Sequence, residues 1–553
     1  MNAIWEVRPT VGSSANGGCF VLDQGSPSPS ASAHLAIDSG PGASNVWVSA
    51  SDHSFSSSDV MKYLKVTGGT NWMPGEFQIV AVGTSPGGVA NSAKLDHSPS
   101  ALANSQYGTY SLYPGVDYSQ QMAAQLAING TSVIATSSGN TVTFTSGYTP
   151  SSNDYGNCVQ FTAAGGATAG VYYISGVSGS TWTVTGANTL GASTGLNGNE
   201  GGAMDALATV SHYYAAGNKI WHKNTGTDTT PASFSIGANP GYIQTMTRIQ
   251  SYYQTRGDTY PGSNDINRSL LQATASNETV LTLSASGIML SGFIVDCNSF
   301  SGTIGISDGS PVVMDTKVTN CGGKGINITA NYSQLSSVEI TGGLSGCTAA
   351  VYLNNLVGVS IDRSNIHDNQ CTGIAATGTP EAIIITRSLI TYNASDGISL
   401  GGYNHLILGN TIAGNHRYGV GNLGAQSSVR SNVIAGNVSA GVACYTAPGI
   451  AATWSMDGNV YYGNGTNRLD CDDGVVTLSI PINGAYPYMD FEDTVLAGDP
   501  FLNDMPGSAG NFTVILPAAY GKGAPPSVAG ANGTDYRDAG AFQHLSGQTA
   551  SIN

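Results

Sequence analysis

The chain has 553 residues, too many for one compact hydrophobic core, so several domains or one elongated solenoid are expected. Charged residues make up only 9% while Gly numbers 74, which argues against long solvent-facing helices, because their outer faces need Lys, Glu and Arg. A formal net charge of −16 argues against nucleic acid or an anionic lipid surface as partner, and no apolar stretch is long enough for membrane insertion.

The opening residues, MNAIWEVRPTVGSSANGG, hold no apolar run of signal-peptide length. With the initiating Met, this gives the expectation of synthesis in a cytoplasm without a signal peptide. Residues 1–33 read as an N-terminal segment leading into the start of a solenoid. A duplication follows. DVMKYLKVTGGTNWMPGEFQIVAV (59–82) aligns without gaps to DYGNCVQFTAAGGATAGVYYISGV (154–177), and HLAI (34–37) matches QLAI (125–128). Each copy reads as short strands ending in a hairpin, with Gly75 and Gly170 at turns. Two small β modules are expected, over 34–112 and 113–200.

Residues 201–475 read as a right-handed parallel β-helix, giving an all-β fold class. Its first part carries a protruding loop with Arg256-Gly257-Asp258, expected to be a salt-bridged turn rather than an integrin-type tripeptide. From about residue 325 the chain aligns on itself with a period of roughly 22–25 residues. Gly325, Gly373, Gly397, Gly419 and Gly441 open successive coils, with Ala350 replacing Gly once. Three apolar ladders keep register. One is Ile326, Val351, Ile374, Ile398, Val420 and Val442; a second is Val313, Val338, Ile361, Ile385, Ile407 and Val429; a third is Val318, Ile366, Ile390, Ile412 and Ile434. β-branched residues at constant offsets fit short strands stacked in parallel. Asn369, Asn393, Asn415 and Asn437 share one polar offset; Ser364, Ser388, Asn410, Asn432 and Asn459 share another. Such ladders suit tight turns, where Asn adopts a left-handed conformation and its amides bond along the stack.

Cys297, Cys321, Cys347 and Cys371 fall on successive coils. Buried small apolar roles are expected for them, with a disulfide or a metal site as the alternatives. The even total of eight Cys does not by itself imply a disulfide framework at this length. After Asp470 the repeat fades, and 476–553 read as a C-terminal cap, since a solenoid end exposes strand edges and core.

The coil pattern, together with the closing GDPFLND…NFTVILP…DYRDAGAFQ, resembles the pectate-lyase-like right-handed β-helix proteins of bacteria and their phages. The opening WEVRPTVGSSANGGCF, GVDYSQQ and the loop SYYQTRGDTYPG look like uncharacterised phage-borne members. That resemblance implies a spike- or fibre-like virion protein, structural and adhesive. It would be displayed on the extracellular particle as a homotrimer, beside other virion proteins and against host-surface polysaccharide. The same fold carries lyases and glycoside hydrolases, so a virion depolymerase or a secreted polysaccharide-degrading enzyme is the alternative.

The best candidate catalytic pair is Glu339 with Asp362. Both follow what reads as the inward ladder on adjacent coils, which would place their carboxyls roughly 5 Å apart, the spacing of a retaining glycosidase. Arg363 and Arg387 share the next offset and would neutralise them or grip an acidic sugar. Tyr392, Tyr403 and Tyr418 offer faces for sugar stacking. His367, His405 and His416 differ in offset, so no His-based triad is predicted; His405 aligns with Val359 and Ile383 and is expected to be partly buried. The acidic run Asp470-Cys471-Asp472-Asp473 is the one candidate for Ca²⁺. No other cofactor and no dedicated metal-ligand spacing is read. A charged, solvated solenoid face explains the same carboxylates and arginines, and a structural role is favoured over catalysis.

Overall fold

The computed structural model describes residues 3–38, 46–99, 105–235, 246–254, 256, 265–284, 287–309, 311–446, 455–457, 459–466, 468–472, 475–480 and 494–495. The fold is all-β, with 4% helix and a parallel solenoid of about 24-residue coils. The chain forms two units. The first holds Met1–Asp228 with Thr247–Thr259 and Asn267–Ser269; the second holds the remainder.

In the first unit, strand Ala3–Val7 pairs antiparallel with Cys19–Val21 and parallel with Lys219–Lys223, which in turn pairs parallel with Thr247–Tyr252. Between these lie the two duplicated segments. Six antiparallel strands from Ser32–Ile37 to Gly108–Val116 close into a barrel around Leu35, Val48, Leu64, Phe77, Ile79 and Tyr110. Seven strands between Leu126–Ile128 and Gly198–Glu200 form the second sheet, over Phe144, Phe161, Ile174 and Trp182. The two share an internal signature. Ser56 with Asp59 and Ser151 with Asp154 each form a capping box on a single 3₁₀ turn, at matching places in the duplicated sequence.

The second unit stacks three parallel sheets. In sheet one, Leu290, Val313, Leu335, Ile361, Ile385, Ile407, Val429 and Met456 occupy equivalent ladder positions. Leu335, not Val338, takes the inward place. Val338 stands three residues later, at the first rung of the Ser and Asn ladder, where its N–H donates to Ser364 Oγ. Both residues are buried, and an apolar pair three apart straddling the corner between two sheets produced the misalignment. Sheet two carries Val295, Val318, Ile340, Ile366, Ile390, Ile412, Ile434 and Tyr461 in register. Sheet three carries Ile306, Ile326, Val351, Ile374, Ile398, Val420 and Val442, in the register read from the sequence.

The polar ladders are chains of buried amides. Asn369, Asn393, Asn415 and Asn437 each donate Nδ2 to the Oδ1 of the next Asn, ending on Asn464, at 2.9–3.0 Å. At the other corner Asn410 donates in the same way to Asn432 and Asn432 to Asn459, whose own amide donates to Val429 O. The left-handed residue of each corner is not the Asn but the one before it: Tyr392 at φ 53° and Gly414 at 65°, or Arg387 at 50° and Gly409 at 66°. The opening glycines have a different reason. A Cβ on Gly373, Gly397 or Gly419 would meet the carbonyl oxygen of the next coil at 2.5–2.8 Å.

The cysteines depart from expectation. Cys297–Cys321 and Cys347–Cys371 are disulfides joining adjacent coils, and Cys19–Cys158 is a third, in the first unit. A one-coil sequence separation stacks two side chains within bonding distance, so buried cysteines one period apart pair. At the far end, Val475–Ile480 turns back antiparallel on Arg468–Asp472. The rest of the expected cap lies outside the described residues, apart from Thr494–Val495.

Candidate functional site

The structure does not bring Glu339 and Asp362 together. Glu339 begins a strand of sheet two, beside Lys317 on one coil and Asn365 on the next. Asp362 ends a strand of sheet one, beside Ser336 and Thr386. The three-residue misalignment at Val338 made them look like neighbours in one column.

Each carboxylate is held by bases of its own. Glu339 lies 3.2 Å from Lys317 Nζ and 3.5 Å from His367 Nε2. Lys317 also pairs with Asp265 at 2.8 Å, and His367 Nδ1 with Asp368 at 2.7 Å. Burial opposes the charge on Glu339, but His367 and Lys317 outweigh it and hold the carboxyl at about 2. Burial likewise opposes the charge on His367, yet Glu339 and Asp368 push its pKa up. Asp362 accepts two bonds from Arg387, at 2.8 and 2.7 Å, one from Arg363 at 3.0 Å and one from Thr386 at 2.7 Å. Partial burial of Asp362 is overcome by these donors, and its pKa falls. Neither carboxyl is poised to give up a proton near neutrality.

The other candidates are scattered. Arg363 and Arg387 sit at consecutive left-handed corners, both committed to Asp362. Tyr392 lies at the corner after sheet two, its ring against Gly414. Tyr403, 39% exposed, lies in a separate row of bridges between Glu381 and Ala425. Tyr418 starts a strand of sheet three, and the Arg417 guanidinium stands 4.7 Å over its ring. His405 is fully buried: its Nδ1 accepts from Ile383 N–H at 3.3 Å, Nε2 donates to Gly401 O at 2.6 Å, and desolvation lowers its pKa. Arg256 of the loop tripeptide is buried in ion pairs with Glu6 and Asp117, while Gly257 and Asp258 lie outside the described residues. Of the acidic run, Asp470 and Asp472 lie in a strand; their side chains and Asp473 are outside the described residues. Among the described residues no group of three or more metal-ligating side chains is assembled.

A concave site forms among the described residues, on coils whose chemistry the repeat obscures. Ser301, Gly302, Ile304, Gly322, Gly323, Lys324, Ser345, Gly346 and Thr348 line a cavity of about 390 Å³. Its glycines are dictated by backbone approach: a Cβ on Gly322 would lie 2.3 Å from Phe300 O, and one on Gly323 2.7 Å from Gly302 O. Lys324 supplies the single charge of the lining. Its Nζ donates to Asn327 Oδ1 at 3.1 Å and stands 3.8 Å from the Tyr352 ring centroid. Ladder-based reasoning missed Lys324. The visible signal was a lysine after paired glycines in a segment otherwise poor in lysine.

Comparison with known proteins bears on the fold. No curated protein matches the chain. Among solved structures, Geobacillus virus E2 ORF18 is 12% identical with a TM-score of 0.33, over 49% of this chain and 58% of its own. The pectate lyase Pel9A is 14% identical with a TM-score of 0.40, over 63% and 92%. The Dettilon tailspike protein gp208 is 12% identical with a TM-score of 0.30, over 46% and 56%. The chain thus spans little more than half the length of either viral protein. Residues 324–479 match the family model described as the right handed beta helix region, and the stacked coils of the second unit are therefore a right-handed parallel β-helix.

Proposed function

We propose that the chain is a spike- or fibre-like structural protein of a phage particle, whose β-helix grips host-surface glycan in the Lys324 cavity without cleaving it. The observation that carries this is the cavity's chemistry. One cation, an adjacent aromatic ring, three hydroxyls and a glycine floor suit an acidic sugar. The lining holds no carboxylate, whereas hydrolysis of a glycosidic bond uses two facing each other. The three disulfides support a working life outside a reducing compartment. A trimer with other virion proteins as neighbours belongs to the same reading.

Binding of acidic capsular polysaccharide, followed by calorimetry with parallel assays for new reducing ends and unsaturated uronates, tests it. Retention of glycan without products is expected. Lys324→Ala should weaken binding roughly tenfold, the worth of one charge-assisted contact. Product release by the unsubstituted chain would establish the enzyme reading instead. Antibody labelling of purified particles under the electron microscope tests the virion assignment, and an unlabelled particle overturns it.

A further inference from the structure

The amide ladder at the corner after sheet two stops short of the Lys324 cavity. Its first member is Asn369, whose Oδ1 accepts from Gly343 N–H at 3.0 Å. The backbone bonds from Ala394 to Asn369 O, Gln370 to Gly343 O and Leu344 to Cys321 O put Gly343 and Cys321 at the two preceding rungs. Neither has an amide side chain to stack. Strand pairing is interrupted on the same coils, with a register shift between Ser301 and Ile304. Two disulfides stand where the amides stop. Cys297–Cys321 ties the first cavity coil to the second, and Cys347–Cys371 ties the third to the coil beyond.

The two disulfides are not equally open. Cys297, Cys321 and Cys371 are buried, whereas Cys347 is half-buried. Cys347 stands between the lining residues Gly346 and Thr348, in the turn 342–348 that forms one wall of the cavity. Gly342 at φ 70° and Gly346 at φ 98° let that turn take a left-handed path, but glycine holds such a path without stiffness. Across the stack the wall is otherwise held by the Gly343 bond and by backbone bonds from Leu344 to Cys321 O at 3.0 Å and from Thr348 to Gly323 O at 2.7 Å.

We propose that Cys347–Cys371 is a redox latch on the Lys324 cavity. Oxidised, it fixes the wall and the cavity takes an acidic sugar; reduced, the wall loosens and the sugar is released. This rests on the reading of the cavity as a glycan site. Opening is ordinary thiol–disulfide exchange with a dithiol. One thiolate of the reductant attacks Cys347 Sγ, the reachable sulfur, and Cys371 Sγ leaves with the bonding pair and takes up a proton. The second thiol of the reductant then displaces Cys347 Sγ from the mixed disulfide, freeing it as a thiol. Two electrons and two protons pass to the chain, and the reductant leaves as a cyclic disulfide. The buried Cys297–Cys321 bond stays closed and keeps the first two coils joined. A chain made in a reducing compartment thus gains its affinity once outside it.

The test treats the full chain with graded dithiothreitol under native conditions, then alkylates it and maps the modified cysteines by mass spectrometry. Cys347 and Cys371 should be modified before Cys297 and Cys321; the reverse order, or simultaneous opening, overturns the proposal. Hydrogen exchange, and calorimetry with polygalacturonate as a carboxylate-bearing probe, follow on the oxidised chain and on C347S/C371S. Exchange across 342–348 should rise and probe affinity fall, each by roughly tenfold, while exchange at 297–304 is kept. Unchanged exchange in the wall overturns the proposal, as does unchanged affinity. If the oxidised chain retains no probe, the glycan reading fails, and exchange at 342–348 alone decides the latch. C19S/C158S, which removes the disulfide of the first unit, controls for general loss of stability: an equal fall in affinity there overturns the latch. If C347S/C371S fails to fold, the dithiothreitol-treated native chain supplies the same two measurements.

Discussion

The two units bury polar groups by opposite means. In the β-helix the buried polar side chains at two corners are neutral amides, each satisfied by the same residue type one coil on. In the N-terminal unit one buried junction is built from ions. Arg256 donates to Glu6 at 3.0 and 2.8 Å, to Asp117 at 2.9 Å, to the Tyr63 hydroxyl at 2.8 Å and to Ser119 Oγ at 3.3 Å. Arg8 and the Tyr252 hydroxyl close on the same Glu6. This cluster joins the first strand, the barrel, the turn after it and the segment 247–256. A repeat can satisfy an amide with a copy of itself, because translation along the axis places a donor over every acceptor. A junction used once has no copy to call on, and so relies on a guanidinium, whose fork serves several acceptors together.

Removing the hub should therefore have the largest effect. Arg256→Ala leaves Asp117 buried without a counter-charge and Glu6 with Arg8 alone, and about 3–5 kcal/mol of stability in the first unit should be lost. Arg256→Lys should recover only part, since an ammonium cannot hold the same fork. Chemical denaturation followed by the tryptophans of the first unit measures both. A loss under 1 kcal/mol would show that the network is incidental to that unit.

Breaking an amide ladder should cost less and stay local. Asn415→Ala strips the acceptor from the Asn393 backbone N–H and side-chain amide, and the donor from Ile390 O. No charge is left behind, so roughly 2–3 kcal/mol is expected. Because each coil touches only its neighbours, hydrogen-exchange protection should fall around Asn393 and Asn437 and not in the first unit. A uniform loss across the chain would contradict nearest-neighbour stacking.

The same contrast explains what was legible. Register in sheets two and three, both Asn ladders and the burial of His405 could be read because each recurs at a fixed offset. Val338 shows the limit: one coil in which an apolar residue stands at a polar rung shifted the alignment by three and manufactured the Glu339–Asp362 pair. The duplicated modules were visible as sequence, yet nothing in 59–82 or 154–177 announces Arg256 as a partner, because ion pairs between residues over a hundred apart leave no periodic trace. The Lys324 cavity was hidden for a related reason. It forms where glycines suspend the regular pattern, and a method tuned to regularity passes over such places.

The last expected effect separates the units by pH. Glu200 in the second module is fully buried, and neither carboxyl oxygen has a hydrogen-bond partner. Desolvation, with Asp154 nearby, pushes its pKa well above the ordinary value of 4.5, while Tyr118 and Tyr148 are the other titratable groups facing it. Folding therefore keeps a proton on Glu200 that the unfolded chain releases above about 4.5. In that window the unfolded state binds fewer protons, so stability falls as pH rises, by about 1.4 kcal/mol for each pH unit the window spans. Glu200→Gln removes the proton and with it the slope. The difference in unfolding free energy between the two chains should thus be near zero at pH 4 and grow in favour of the Gln variant toward neutrality. His405 in the β-helix acts in the other direction. Its lowered pKa means that acid must charge a buried ring, so its contribution is lost as pH falls below the ordinary histidine value of 6.5. Melting each unit across pH 4–8 distinguishes them; a Glu200→Gln difference that does not change with pH would show that the carboxyl is already ionised in the folded module.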